Sequence, residues 1–229
     1  MALAWFAAVP RDVTSETGPA AIQLASTGAS WKRCIGTHGG ARVLDFFGAA
    51  VALIFLLPLM LLIACMIKID SAGPVLYRQD RVGRHGTIFT LLKFRTMRQD
   101  AELDGPRWAA ERDHRITRVG ALLRASRLDE IPQFVNVLCG EMSLVGPRPE
   151  RPYFSQQLAK VIPNYAERTR VLPGITGWAQ INHPYGASVE DARTKLTYDL
   201  FYIANRGLLL NLRILVATVP VMLLGRGAR

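Results

Sequence analysis

Two adjacent carboxylates, Asp129 and Glu130, lie in a stretch from Arg124 to Glu150 that also carries Arg127 and Arg148. That mixture suits phosphoryl chemistry. Guanidinium groups hold phosphoryl oxygens through paired, charge-assisted hydrogen bonds, and a carboxylate beside them can bind a divalent cation or attack phosphorus. The competing reading is structural: Asp129 would cap a helix whose first turn holds Glu130 and Pro132. For an isolated Asp-Glu pair that reading wins, so the weight rests on the surroundings. Pro147 and Pro149 flank Arg148, restrict the backbone there and would present its guanidinium already oriented, which lowers the ordering cost of holding a diphosphate.

The elements that must position these groups begin with an apolar run. From Phe46 to Ile67 the chain has 22 residues without a charge, close to the ~20 that a spanning helix needs. A helix apolar all round for so long is rarely a soluble core helix. Pro58 removes a helix hydrogen bond near the middle and should kink or break the run into arms over 46–57 and 59–67. Each arm would be about 14 to 18 Å long, short of a ~30 Å hydrocarbon core. Lys32, Arg33 and Arg42 precede the run, and Lys68, Arg78, Arg81 and Arg84 follow it. Symmetric basic flanks favour a hairpin that enters and leaves by the cytoplasmic face, although a proline-kinked helix can also cross. A second apolar stretch, 207–224, is divided by Asn211, Arg213 and Pro220, which suits an amphipathic segment in the headgroup region facing anionic lipid.

Between these segments, short strands are expected around Pro74-Val-Leu-Tyr77 and Thr87-Ile-Phe-Thr-Leu-Leu92, on either side of Gly83 to Gly86. Helices are expected over 122–138 and 155–170, the second ending before the Pro173-Gly174 turn. The expected fold class is predominantly α with a few short strands. Its parts are a mobile N-terminal extension (1–41), a proline-broken re-entrant membrane helix pair (42–70), a compact cytosolic catalytic domain (71–205) and an amphipathic surface segment (206–229). Ala2 to Val9 lacks a basic n-region, which argues against a secretory signal peptide.

Charge and cysteines narrow the function classes. With 28 Lys and Arg against 18 Asp and Glu, the formal charge is +10, which concentrates anions of any kind without identifying one. No helix-turn-helix, zinc-finger or RNA-aromatic pattern accompanies the charge, so no nucleic-acid partner is expected. Cys34, Cys65 and Cys139 lack metal-site spacing and read as reduced bystanders.

The string from Arg124 through Ser143-Leu-Val-Gly-Pro-Arg-Pro149 closely resembles the signature of bacterial polyprenyl-phosphate sugar-1-phosphate transferases, the monotopic phosphoglycosyl transferases. Further landmarks are Arg78-Gln-Asp-Arg-Val-Gly83, Lys93-Phe-Arg-Thr-Met97, Arg115-Ile-Thr-Arg-Val-Gly120, Pro173-Gly-Ile-Thr-Gly-Trp-Ala-Gln180 and Tyr198-Asp-Leu-Phe-Tyr202. The resemblance runs from about Arg42 to about Leu224. It implies a re-entrant helix broken at Pro58 and residence on the cytoplasmic face of the bacterial inner membrane. The implied reaction moves a sugar-1-phosphate from a UDP-sugar to undecaprenyl phosphate and releases UMP, initiating exopolysaccharide or related surface-glycan synthesis. Downstream glycosyltransferases would be partners.

The resemblance makes Asp129 the nucleophile of a two-step transfer through a phosphosugar-aspartyl intermediate, with Mg²⁺ as cofactor and Asp129 touching the metal. Glu130 belongs to the site without a fixed role. Arg124 and Arg148 are the leading phosphate-binding residues, with Lys93 and Arg95 behind them. Leu172, Ala204 and Asn211 depart from residue types common in the family, which puts secondary charge contacts in doubt and leaves the Asp129-Glu130 centre intact. Pro149-Glu-Arg-Pro-Tyr153 and Pro184-Tyr-Gly-Ala-Ser188 resemble members of exopolysaccharide pathways, making UDP-glucose or UDP-galactose the first donors to test and an acetamido sugar the alternative. A membrane-tethered, catalytically silent scaffold for glycan-assembly enzymes is the rival function.

Overall fold

The computed structural model describes residues 38–101, 113–183 and 188–223. Residues 1–37 of the expected N-terminal extension, most of the polar stretch after Arg98 and the 184–187 segment lie outside the described residues, whereas 38–41 already belong to the first helix.

That helix, α1 (His38–Asp70), is one continuous element of 33 residues with Pro58 inside it. Of the two outcomes expected at Pro58, the break into separate helices is not seen: the chain stays helical across the proline, which leaves a bend within the helix as the way the run could turn back. Leu56, Leu59 and Met60 on either side of Pro58 pack against a core of Ile63, Ile67, Phe94, Leu123 and Ile131, and this packing holds the element together where a hydrogen bond is lost. Most of its remaining apolar surface is bare. Ile54 is 70% and Phe55 79% exposed, and Phe47, Leu61 and Leu62 stand out beside them.

Both ends of α1 are tied to the same domain. Arg42 donates to the carbonyls of Leu138 and Met142, each at 3.2 Å, and Asp45 accepts from the Leu144 amide at 2.9 Å. At the other end Asp70 accepts from the Val119 amide at 3.1 Å, within the first turn of α2 (Arg118–Ala125), where a carboxylate satisfies an orphan N–H. Thr117 caps the same helix through Gly120.

The expected strands form an antiparallel pair, β1 (Leu76–Val82) and β2 (Ile88–Phe94), in register from Leu76 opposite Phe94 to Val82 opposite Ile88. The reversal uses left-handed backbone at His85 and Gly86. Phe89 and Leu91 are buried with Ala49, Val137 and Met142.

The expected helix over 122–138 is divided. Arg127 takes a left-handed conformation, φ 59°, after α2; Leu128–Glu130 form a single 3-10 turn; α3 (Gln133–Cys139) starts after Pro132. The expected helix over 155–170 likewise becomes α4 (Pro152–Val161) and a 3-10 turn, Tyr165–Arg170, separated at Pro163 and the left-handed Asn164. The chain then forms β3 (Ser143–Val145) parallel to β4 (Gly174–Thr176), followed by α5 (Trp178–Asn182), α6 (Val189–Asn205) and α7 (Leu208–Leu223). Val145, Leu158, Tyr165, Trp178, Leu196, Tyr202 and Ile214 share the largest core cluster. On α7, Ile214 is buried while Leu208, Leu209, Leu212, Val216 and Val219 are exposed, so the helix leaves an apolar face uncovered. The fold is mostly helical with short strands, and its long apolar helix is suited to membrane association.

Candidate active site

The break between α2 and α3 places the two carboxylates. Because Leu128–Glu130 form a tight turn, Asp129 and Glu130 lie at the wall of a cavity of about 430 Å³, which Lys93, Arg124, Arg127, Arg148, Arg168 and Lys195 also line. Asp129 does not cap α3: the capping position is Pro132, without a side-chain bond.

Glu130 is the hub of the positive cluster. Arg148 grips it with both terminal nitrogens, Lys93 donates to it at 3.0 Å, and Arg127 lies 3.9 Å away. Burial pushes its carboxyl up, but Arg148, Lys93 and Arg127 together outweigh that and hold it well below the ordinary glutamate range. Asp129 behaves oppositely. It is 8% exposed, its nearer carboxylate oxygen stands 3.9 Å from the Lys93 ammonium, and burial, helped by the negative Glu130, raises its carboxyl against the pull of Lys93, Arg148 and Arg124. Adjacent carboxylates in different surroundings are thus pushed in opposite directions. The Lys93 ammonium is itself pushed down by burial and by Arg148, against the attraction of Glu130 and Asp129.

Two devices hold these groups in place. The first is Asn136 of α3, whose side-chain oxygen accepts the Leu92 amide at 3.0 Å and whose nitrogen donates to the Thr90 carbonyl at 2.8 Å. This buried amide continues the strand ladder and fixes β2 next to Lys93. The second is the Pro147-Arg148-Pro149 loop, where four successive carbonyls are anchored. Pro147 accepts from the Gly174 amide at 3.0 Å and Glu150 from the Val82 amide at 2.9 Å. Arg148 accepts from Arg168 at 2.9 Å and Pro149 from Arg81 at 3.0 Å.

Arg95 lines the cavity, but its guanidinium is engaged elsewhere: it donates to the carbonyls of Ser71 and Ala72, each at 2.7 Å, and to the Ser71 hydroxyl at 2.8 Å. It ties the end of α1 to β2. Arg124, at the end of α2, lines the cavity on the Asp129 side and pulls that carboxyl down. Asp129, Glu130, Lys93, Arg124 and Arg148 are therefore brought together, while Arg95 reaches the same wall through its anchoring role. Pro58 lies in α1, away from the residues that line the cavity.

A buried carboxylate walled by cations, in a domain that carries a bare apolar helix, invites comparison with known enzymes. The profile of the family described as bacterial sugar transferase matches residues 37–225. The chain belongs to that family. A UDP-N-acetylgalactosamine-undecaprenyl-phosphate N-acetylgalactosaminephosphotransferase of Aeromonas hydrophila is 46% identical over 82% of this chain and 44% of its own length. A UDP-glucose:undecaprenyl-phosphate glucose-1-phosphate transferase of Caulobacter vibrioides is 45% identical over 80% of this chain and 69% of its own length. The exopolysaccharide production protein PSS of Rhizobium leguminosarum is 38% identical over 78% of this chain and 92% of its own. The matched region thus spans less than half of the Aeromonas relative and nearly all of the Rhizobium one.

Several residues that line this cavity or hold its walls escaped a reading by type and spacing: Arg81, Asn136, Arg168 and Asp199. Asp199 stands inside the Tyr198-Asp-Leu-Phe-Tyr202 landmark, which was the available signal. Its partner Arg168, 31 positions earlier, had none.

Proposed function

We propose that this protein transfers a sugar-1-phosphate from a UDP-sugar to undecaprenyl phosphate at the cytoplasmic face of the bacterial inner membrane, releasing UMP and initiating exopolysaccharide or related glycan synthesis. The observation that carries this reading is the pairing of Asp129, buried and held more basic than usual, with a cationic wall of Lys93, Arg124 and Arg148 around one cavity. The names of the relatives, which specify undecaprenyl phosphate with UDP-N-acetylgalactosamine or UDP-glucose, support the substrate class.

The reaction has two displacements. An Asp129 carboxylate oxygen attacks the sugar-side phosphorus of the donor; the bond from that phosphorus to the bridging oxygen breaks and UMP leaves with the electron pair. An oxygen of the lipid phosphate then attacks the same phosphorus, the acyl-phosphate bond breaks, and Asp129 is regenerated as a carboxylate. Arg148 and Arg124 hold phosphoryl oxygens, and Glu130 keeps Arg148 and Lys93 aligned beside the nucleophile.

Mg²⁺ fits this donor set. No group of three His, Cys, Asp or Glu side chains is clustered among the described residues, and Glu130 is already committed to Arg148 and Lys93. Magnesium commonly takes one or two carboxylates together with substrate phosphates, so Asp129 and the donor diphosphate would hold it. When bound, it would offset charge on the diphosphate.

The topology that suits this chemistry is re-entrant. Arg42, Asp45 and Asp70, near opposite ends of α1, are all bonded to the one cytosolic domain, so the exposed middle of the helix would dip into the bilayer and return. The exposed face of α7 would lie against the same leaflet, with anionic lipid as a partner. UDP-glucose and UDP-galactose are the first donors to test, with an acetamido sugar as the alternative.

The test uses donor labelled in its sugar, without lipid acceptor. A transient label on the wild-type chain, mapped by mass to Asp129, and a burst of UMP no larger than the enzyme concentration are expected. A reproducible adduct at another residue would reject the assignment. A panel of UDP-sugars with undecaprenyl phosphate then identifies the donor.

A further inference from the structure

Behind the Pro147-Arg148-Pro149 loop lies an ion pair that the two displacements do not use. Arg168, from the 3-10 turn after α4, meets Asp199 of α6: its Nε donates to the Asp199 carboxylate at 3.0 Å and one terminal nitrogen stands 2.8 Å from the same oxygen. That terminal nitrogen also donates to the Arg148 carbonyl at 2.9 Å, and the other donates to the Tyr165 hydroxyl at 2.9 Å. The guanidinium lies 5.2 Å from the centre of the Tyr165 ring. Every nitrogen of Arg168 is thus directed at the protein. The side chains are 10% and 3% exposed, and a pair this deep carries a desolvation cost that an apolar pair of similar volume would avoid. Packing alone gives no reason to keep it.

The acceptor supplies the reason. Arg148 is the residue whose side chain grips Glu130, and its backbone carbonyl is the point that Arg168 holds. We propose that Arg168, oriented by Asp199, is a positioning residue that sets the direction of the Arg148 guanidinium and, through Glu130, the placement of Asp129. The route crosses four elements: Asp199 on α6, Arg168 on the turn before β4, Arg148 after β3, and the Asp129-Glu130 turn between α2 and α3. A guanidinium is suited to this work because its planar fork serves carboxylate, hydroxyl and carbonyl together, which an ammonium cannot do with the same geometry. The inference rests on the transfer reaction for its kinetic consequence and on geometry alone for its structural one.

The test follows both consequences with the full chain in detergent or lipid nanodiscs. Crystal structures of Asp199→Asn and Arg168→Lys should show Arg148 turned away from Glu130; an unchanged Arg148–Glu130 grip in a folded variant would overturn the proposal whatever its activity. Using two variants keeps the test open if one fails to fold. In the kinetic arm, each substitution should lower UMP release from a UDP-sugar about 10- to 100-fold in the wild-type background, the scale of a misplacement of about 1 Å. In an Arg148→Ala background the same substitutions should cost less than about threefold, because the residue through which they act is gone. Equal losses in both backgrounds would show that the pair acts independently of Arg148 and would also overturn the proposal. A wild-type chain that released no nucleotide would count against the transfer reaction, and the crystallographic arm would still decide the positioning.

Discussion

At the scale of single residues, Asp129 and Glu130 are neighbours with opposite energetics, and two substitutions separate them. The Asp129 carboxyl is raised, chiefly by burial. Its favourable contribution to folding is therefore present below the ordinary aspartate value and lost as pH rises through the raised one. At neutral pH Asp129→Asn should leave the melting temperature equal to or above that of the wild type while lowering transfer by on the order of 10³-fold or more. A folded variant with wild-type turnover would remove Asp129 from the nucleophile role. Since the ionised form attacks, wild-type activity should decline with acidification at a pH above the ordinary aspartate pKa, as a pH–rate profile of the first half-reaction would reveal. Glu130 is depressed by Arg148, Lys93 and Arg127 against its burial, so its stabilising contribution is present above the ordinary glutamate value and lost as pH falls through the depressed one. Glu130→Gln should cost about 3 kcal/mol of stability, because it strands buried cations without their partner. Chemical denaturation that shows no loss would mean that the grip of Arg148 and Lys93 on Glu130 contributes little.

At the scale of elements, two loops meet through glycine. A Cβ on Gly174 would stand 2.0 Å from the Gly146 amide nitrogen, one on Gly177 would stand 2.2 Å from the Gly146 carbonyl oxygen, and one on Gly146 would stand 2.5 Å from the Leu172 carbonyl oxygen. These are backbone atoms, which cannot give way as a flexible side chain would. The contact lets β3 and β4 pair in parallel and lets the Gly174 amide reach the Pro147 carbonyl. Gly174→Ala should cost about 3 kcal/mol or more and disable transfer by displacing the loop that carries Arg148. Thermal melting and UMP release should fall together; an alanine variant with the wild-type melting temperature would show that the loops can separate without cost.

At the scale of the molecule, α1 and α7 both expose apolar faces, which on the proposed topology would meet lipid. Because Arg42 and Asp70 bond to the same domain, the chain on both sides of α1 should be reached from the cytoplasm. Ala41→Cys and Arg78→Cys, introduced into a chain whose own cysteines are replaced, should both resist a membrane-impermeant thiol reagent in intact cells and both react once the inner membrane is opened. Protection at one position with labelling at the other in intact cells would defeat the re-entrant arrangement.

The sequence by itself determined the chemistry-bearing residue types, the long apolar stretch, the β1–β2 pair and a second apolar stretch near the end, because these depend on composition and on periodicities of a few residues. Its motif pattern also located the family. What it did not determine was the division of 122–138. The 3-10 turn that aims Asp129 and Glu130 into the cavity requires left-handed backbone at Arg127, a conformation that arginine does not favour and that the surrounding contacts must impose. Nor could it show that α1 continues through Pro58, since that outcome depends on Leu56, Leu59 and Met60 finding a common core. Only the tertiary structure separated the roles of the cations: Arg95 bonds the chain after α1, Arg148 grips Glu130, and Arg168 supports Arg148 from behind. Arginines look alike in a sequence, and what each does is decided by the acceptors that distant segments bring within about 3 Å.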